Sequence, residues 1–153
     1  MTDDAAIGGR VVVGVDDSPE AAYALTVAAD EAILRHAELD IVHVWSPPTA
    51  GSAIGPISIP LYEDEHRAAH GHLLHTAVDA LLDRMPVQPE RVERILAENH
   101  SVARTLLDVA KGADLLVVGS RGRGGFTGLV LGSVSQQCVH HAPCPVLVVR
   151  RPE

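Results

Sequence analysis

Cysteine, lysine and long apolar stretches are all scarce in this chain of 153 residues. Its two cysteines, Cys138 and Cys144, are too few for a disulfide framework and suit a reducing, cytoplasmic setting. Apolar residues make up 46% of the chain, yet no stretch approaches the roughly 20 that a membrane-spanning helix needs, so no membrane partner is expected. Met1 to Arg10 carries Asp3 and Asp4 and has no basic region followed by an apolar run, so a secretory signal is not expected. Lysine occurs once, at Lys111, against 11 arginines, a bias that carries no mechanism. No internal repeat, low-complexity tract or linker divides the sequence. Residues 1–153 are therefore expected to form one domain, long enough to bury a core.

Acidic residues are also missing from one place. The net charge of −8 argues against a general nucleic-acid binder, but Leu115 to Pro152 contains no Asp or Glu. Arg121, Arg123, Arg150 and Arg151 give that segment +4 and leave −12 on the rest. Such a segment is suited to accept an anion, or it is a strand-rich region that lacks surface acids.

What is present alternates regularly. Val11 to Val15 is a short apolar run, as expected of a strand buried on both faces. Ser18, Pro19 and Glu20 then supply a cap, a first-turn proline and an acid at the positive end of a helix reaching about His36. Leu39 to Trp45 reads as a second strand. Ser46 to Pro60 reads as a loop of about 15 residues, rich in Pro and Gly and long enough for a lid. A helix over Leu61 to Met85 and a weaker strand over Arg91 to Glu98 follow. A third helix is capped by Ser101 and ends at Gly112. Leu115 to Val118 is a further buried strand, followed by a glycine-rich loop, a helix over Ser133 to His140, and a last strand at Val146 to Val149. The order β-α-β-α-β-α-β-loop-α-β predicts an α/β fold, an open parallel five-stranded sheet with helices on both faces.

The glycine-rich loop carries the chemistry. Gly119, Gly122, Gly124, Gly125 and Gly128 follow a buried strand, and Gly132-Ser133 opens the next helix. Glycines present bare N–H groups to an anion, and the helix start adds unpaired amides and the positive dipole end. Arg121 and Arg123 add charge, and Ser133 is the expected N-cap. Two familiar phosphate loops are excluded by spacing: there is no Gly-Lys-Ser/Thr, and no G-x-G-x-x-G after the first strand.

The pattern present, Gly119-x2-Gly122-x9-Gly132-Ser133, resembles that of ATP-binding members of the universal stress protein family. Val13 to Ser18 resembles the family's first strand and aspartate turn, His43-Val44 its second-strand end, Ala113 to Gly122 its fourth strand, and Pro143 to Val149 its closing strand. The resemblance implies the sheet order 3-2-1-4-5, with Asp16 and Gly119 facing each other across a crevice. It implies that Val15 and Asp16 contact the nucleoside and that the Val44 backbone reads the adenine edge. Gly119, Ser120, Arg121, Gly122 and Arg123 would hold ribose and α-phosphate, and Gly132, Ser133, Val134 and Ser135 the outer phosphates. The cofactor implied is ATP, with Mg²⁺ or Mn²⁺ as its accompanying ion, and the oligomer implied is a homodimer through Val146 to Val149. One departure is the entry to the third helix, where Asn99-His100-Ser101 replaces the family's Gly-x-Pro.

The blander readings stand beside these. Asp16 also reads as a helix-flanking carboxylate. Glu63, His66 and His70 share a helical face that reads as solvated rather than metal-binding, and Cys138 and Cys144 read as small core residues. Three functions remain open: a regulatory ATP-binding protein with an unidentified protein partner, a slow ATPase or nucleotide hydrolase, and an interaction module without ligand. Hydrolysis wants a base and a metal at the γ-phosphate, and the loop offers arginines and hydroxyls with Asp16 as the one carboxylate nearby.

Overall fold

The computed structural model describes residues 8–47, 49–52, 55–58, 60–122 and 131–153, and the account below concerns those residues. Val11, Val12 and Val13 have no exposed surface, because their strand β1 (Arg10–Val15) runs through the middle of a parallel sheet. Alternation sends Val11 and Val13 to one face and Val12 to the other, so an unbroken apolar run serves two cores.

On the first face lies α1 (Pro19–Arg35), whose Ala24, Ala28, Ala29 and Ala32 allow close approach to the sheet. The expected cap forms: the Ser18 hydroxyl accepts from Ala21 N–H at 3.1 Å, and Pro19 starts the helix. The helix stops at His36, whose φ of 50° turns the chain into β2 (Glu38–Trp45). Ser46 to Pro60 is not a plain loop. It carries β3 (Thr49–Ser52) and β4 (Gly55–Ser58), paired antiparallel with Thr49 opposite Ser58. Gly and Pro are excluded from central strands, but a two-stranded ribbon consists only of edges, where they are tolerated.

Next come α2 (Pro60–Leu82), which sets Leu74, Val78 and Leu82 into the first core, and β5 (Val92–Glu98). On the opposite face lie α3 (Val102–Val109) and, after β6 (Leu115–Gly119), α4 (Ser133–His141), which contribute Leu106 and Cys138 to the second core. In place of a Gly-x-Pro entry, Asn99 Oδ1 accepts from Ser101 N–H at 3.0 Å and Ser101 Oγ caps Arg104 N–H at 3.3 Å. The chain closes with β7 (Val146–Val149).

The sheet order is β5-β2-β1-β6-β7, all parallel, which is the expected 3-2-1-4-5 once the hairpin is set aside. Chain order therefore reverses between β1 and β6, and the helices that follow these strands leave on opposite faces. A crevice must open at their carboxyl ends. At the other end, Arg10 holds the sheet together: it pairs with the buried Asp40 at 2.7 Å and donates to the carbonyls of Val109 and Lys111.

Candidate functional site

A cleft of about 620 Å³ occupies the switch point, within the size range of small-molecule sites. Its floor is the carboxyl ends of β1, β2 and β6, and its walls come from α2, α3 and the start of α4. Among the residues singled out from sequence, Val15, Asp16, Val44, Gly119, Arg121, Gly122, Gly132, Ser133, Val134 and Ser135 all line it. Arg123 lies outside the described residues. Ser120 is buried and is not among the residues that line the cleft. Its N–H donates to Val149 O at 2.7 Å, and its carbonyl accepts from Gly132 N–H at 2.7 Å.

Asp16 sits at the tip of β1. Its Oδ1 accepts from Ser18 N–H at 2.9 Å, closing a local turn just before α1. Oδ2 is turned toward the glycine loop, where a Cβ on Gly122 would lie 3.1 Å from it. Gly122, rather than Gly119, is thus the residue opposite Asp16. Gly119 is set back, and a Cβ there would meet Arg121 O at 3.2 Å and Glu20 Cβ at 3.5 Å. Neither glycine has positive φ, so their role is to keep space clear rather than to make a left-handed turn.

The start of α4 differs in detail from the expected cradle. Gly132 itself is the N-cap, so Ser133 moves inside the helix to its first position with an exposed hydroxyl. The Gly132 N–H is not free, since Ser120 O takes it. The Ser135 hydroxyl is buried, 3.1 Å from Ser120 O and 3.0 Å from Gly132 O, and so ties α4 to the end of β6. What α4 offers the cleft is therefore the backbone N–H groups of Ser133, Val134 and Ser135, which have no acceptor within the helix. Three adjacent amides at the positive end of a helix dipole suit an anionic oxygen. Arg121 is exposed at the same rim.

The opposite end of the cleft is apolar, lined by Val44, Leu73, Leu74 and Leu106. It also holds a pair that sequence reasoning missed. His43 Nδ1 lies 2.9 Å from Val15 O, and His43 Nε2 lies 2.8 Å from His70 Nδ1. His70 stacks at 5.9 Å on Trp45 and is half-buried, so the solvated reading holds for the exposed His66 but not for His70. Only the adjacency of His43 to Val44 hinted at it.

A parallel doubly wound sheet with free helix-start amides and an apolar recess at its switch point is the architecture in which open α/β proteins bind ligands. The comparisons narrow that class. The model of the universal stress protein family matches residues 9–150, and the chain belongs to that family. A universal stress protein of Mycolicibacterium smegmatis is 39% identical over 139 residues, covering 91% of this chain and 47% of that relative. The chain spans about half the length of the curated relatives it matches. Among solved structures, a universal stress protein in complex with cAMP is 25% identical with a TM-score of 0.69, covering 93% of this chain and 96% of that one. The universal stress protein of Archaeoglobus fulgidus in complex with dAMP is 25% identical with a TM-score of 0.65, covering 93% and 98%.

Proposed function

We propose that this chain holds an adenine nucleotide, ATP by preference, in the cleft between β1 and β6, and that the bound nucleotide alters which partner the protein engages. The observation that carries the reading is the pairing of ends within one cleft. Asp16 faces Gly122 below the three amides of α4, and an apolar recess lies beside Val44. Phosphates suit the first end and a flat base the second. The two solved relatives with adenine nucleotides support adenine as the base. Mg²⁺ or Mn²⁺ accompanying the phosphates would neutralise their charge when bound. The setting proposed is the cytoplasm, and the domain is proposed to work as a unit over residues 1–153.

The regulatory reading is preferred to hydrolysis because the residues at the amide end of the cleft are mainly donors, and the two histidines of the cleft are bonded to each other and to Val15 O. The Asp16 carboxylate already accepts from Ser18. Native mass spectrometry of the purified protein should show a retained nucleotide, and calorimetry should show ATP binding more tightly than GTP. Equal affinities for the two would sink the adenine assignment, and turnover with Mg²⁺ or Mn²⁺ would move the protein to the ATPase class.

A further inference from the structure

The His43–His70 contact has a proton count that follows from its geometry. A carbonyl oxygen only accepts, so His43 Nδ1, 2.9 Å from Val15 O, carries a hydrogen. In the neutral ring Nε2 is then the acceptor, and His70 Nδ1 must donate to it across 2.8 Å. When both rings carry a hydrogen on each nitrogen, His43 Nε2–H confronts the His70 Nδ1–H at 2.8 Å. The doubly protonated pair has to separate.

Separation matters because of what the pair holds. Residues 64–69 of α2 are exposed, and the next side chains to enter the core are Leu74, Val78 and Leu82. His70 is therefore the first described point at which α2 is fastened to the sheet, and the turn after it, through Leu73 and Leu74, is a wall of the cleft.

The charged and titratable groups around the pair come from several elements. Asp16 and Asp17 from the β1–α1 turn and Arg121 from the glycine loop line the same cleft, and Glu98 at the end of β5 is in register with Trp45. On α2, the exposed His66 and Arg67 precede the pair by about one turn.

We propose that His43 and His70 form an acid-opened latch on the cleft: the second proton frees α2 from the ends of β1 and β2 and weakens nucleotide binding. The effect on binding rests on the nucleotide reading above, whereas the latch does not. The test uses the only tryptophan, Trp45, which is 3% exposed and stacks on His70. His70→Asn is the diagnostic variant. Its amide donates to a neutral His43 and, turned over, accepts from a protonated one, so the contact survives at either pH.

In ligand-free protein titrated from pH 8 to pH 5, Trp45 emission of the wild type should shift to the red and that of His70→Asn should stay constant. A flat wild-type trace, or the same shift in both proteins, overturns the latch, and the wild-type trace suffices if the variant does not fold. For gating, the ratio of wild-type to variant Kd for ATP should rise at least fivefold between pH 7.5 and pH 5.0. Titration of the γ-phosphate is common to both proteins and cancels in the ratio. A constant ratio beside a genuine emission shift overturns gating, while absence of ATP binding at every pH refutes the nucleotide reading and leaves the latch to the emission data.

Discussion

Replacing Gly132 with glutamate separates what the fold needs from what the ligand needs. Gly132 has extended backbone (φ −75°, ψ 170°), open to any residue. A Cβ there would meet Arg121 Cα and Ser120 O at 3.5 Å, an ordinary contact. The fold therefore accepts a side chain, and a carboxylate at the start of α4 should stabilise the helix by about 0.3–1 kcal/mol through the dipole. The same carboxylate competes for the amides of Ser133 to Ser135 and repels a phosphate. At about 4 Å the repulsion is about 1 kcal/mol in bulk water and about 4 kcal/mol at the effective dielectric of a protein surface. Loss of at least about 1.4 kcal/mol, roughly tenfold in Kd for ATP, is expected by calorimetry, with circular dichroism unchanged. Gly132→Gln, of similar size and uncharged, should lose less. Glutamate binding ATP within twofold of the wild type, on a retained fold, would place the phosphates elsewhere. Equal losses for Glu and Gln would make bulk rather than charge the cause.

Three further outcomes are expected. Arg10→Met leaves the buried Asp40 carboxylate without its partner and should cost about 3 kcal/mol in urea unfolding, with recovery when Asp40→Leu is added; a loss below about 1 kcal/mol would refute the clamp. Burial pushes the Cys138 thiol up from an ordinary 9.0 to about 11, so above pH 9 the unfolded chain releases a proton that the folded chain keeps. Stability should thus fall between pH 9 and pH 11, and Cys138→Ala should flatten that slope; an equal slope in the variant would assign it to another group. Finally, the proposed homodimer joins β7 edges. The carbonyls of Pro145 and Val149 accept from Leu116 and Ser120, so Val146 and Val148 turn their backbone groups outward. Val148→Pro removes one outward N–H and spares the β6 ladder, and should convert a dimer to a monomer by light scattering. A wild-type mass of 16.2 kDa would refute the dimer.

The sheet was legible in the sequence because its signal is local. A strand buried on both faces must be apolar at successive positions, as Val11 to Val13 and Leu115 to Val118 are, and each amphipathic helix between strands repeats every few residues. The glycine spacing likewise pointed to the amide-rich end of the cleft, since bare backbone beside a helix start is a property of contiguous sequence. What escaped are the pairings between distant side chains. Arg10 meets Asp40 across 30 residues and His43 meets His70 across 27, and neither leaves a period or a motif. Leu147, which from sequence is simply one of four apolar edge residues, packs against the core beside α1, so a charge there would injure the fold as well as a dimer seam.

Helical periodicity correctly put His66 and His70 on one side of α2, but that side is solvent at one turn and cleft at the next. Period alone carries no information on where a neighbouring strand ends. The same limit applies within the glycine loop. Its residues promise amides, yet which amides remain for a ligand depends on how α4 is set against β6. The Ser135 hydroxyl and the Gly132 N–H set it by binding Ser120 O, so two of the predicted phosphate ligands serve partly as scaffold. Their loss should act through the position of the three remaining amides. A Ser135→Ala protein would then weaken ATP without removing any atom that touches it.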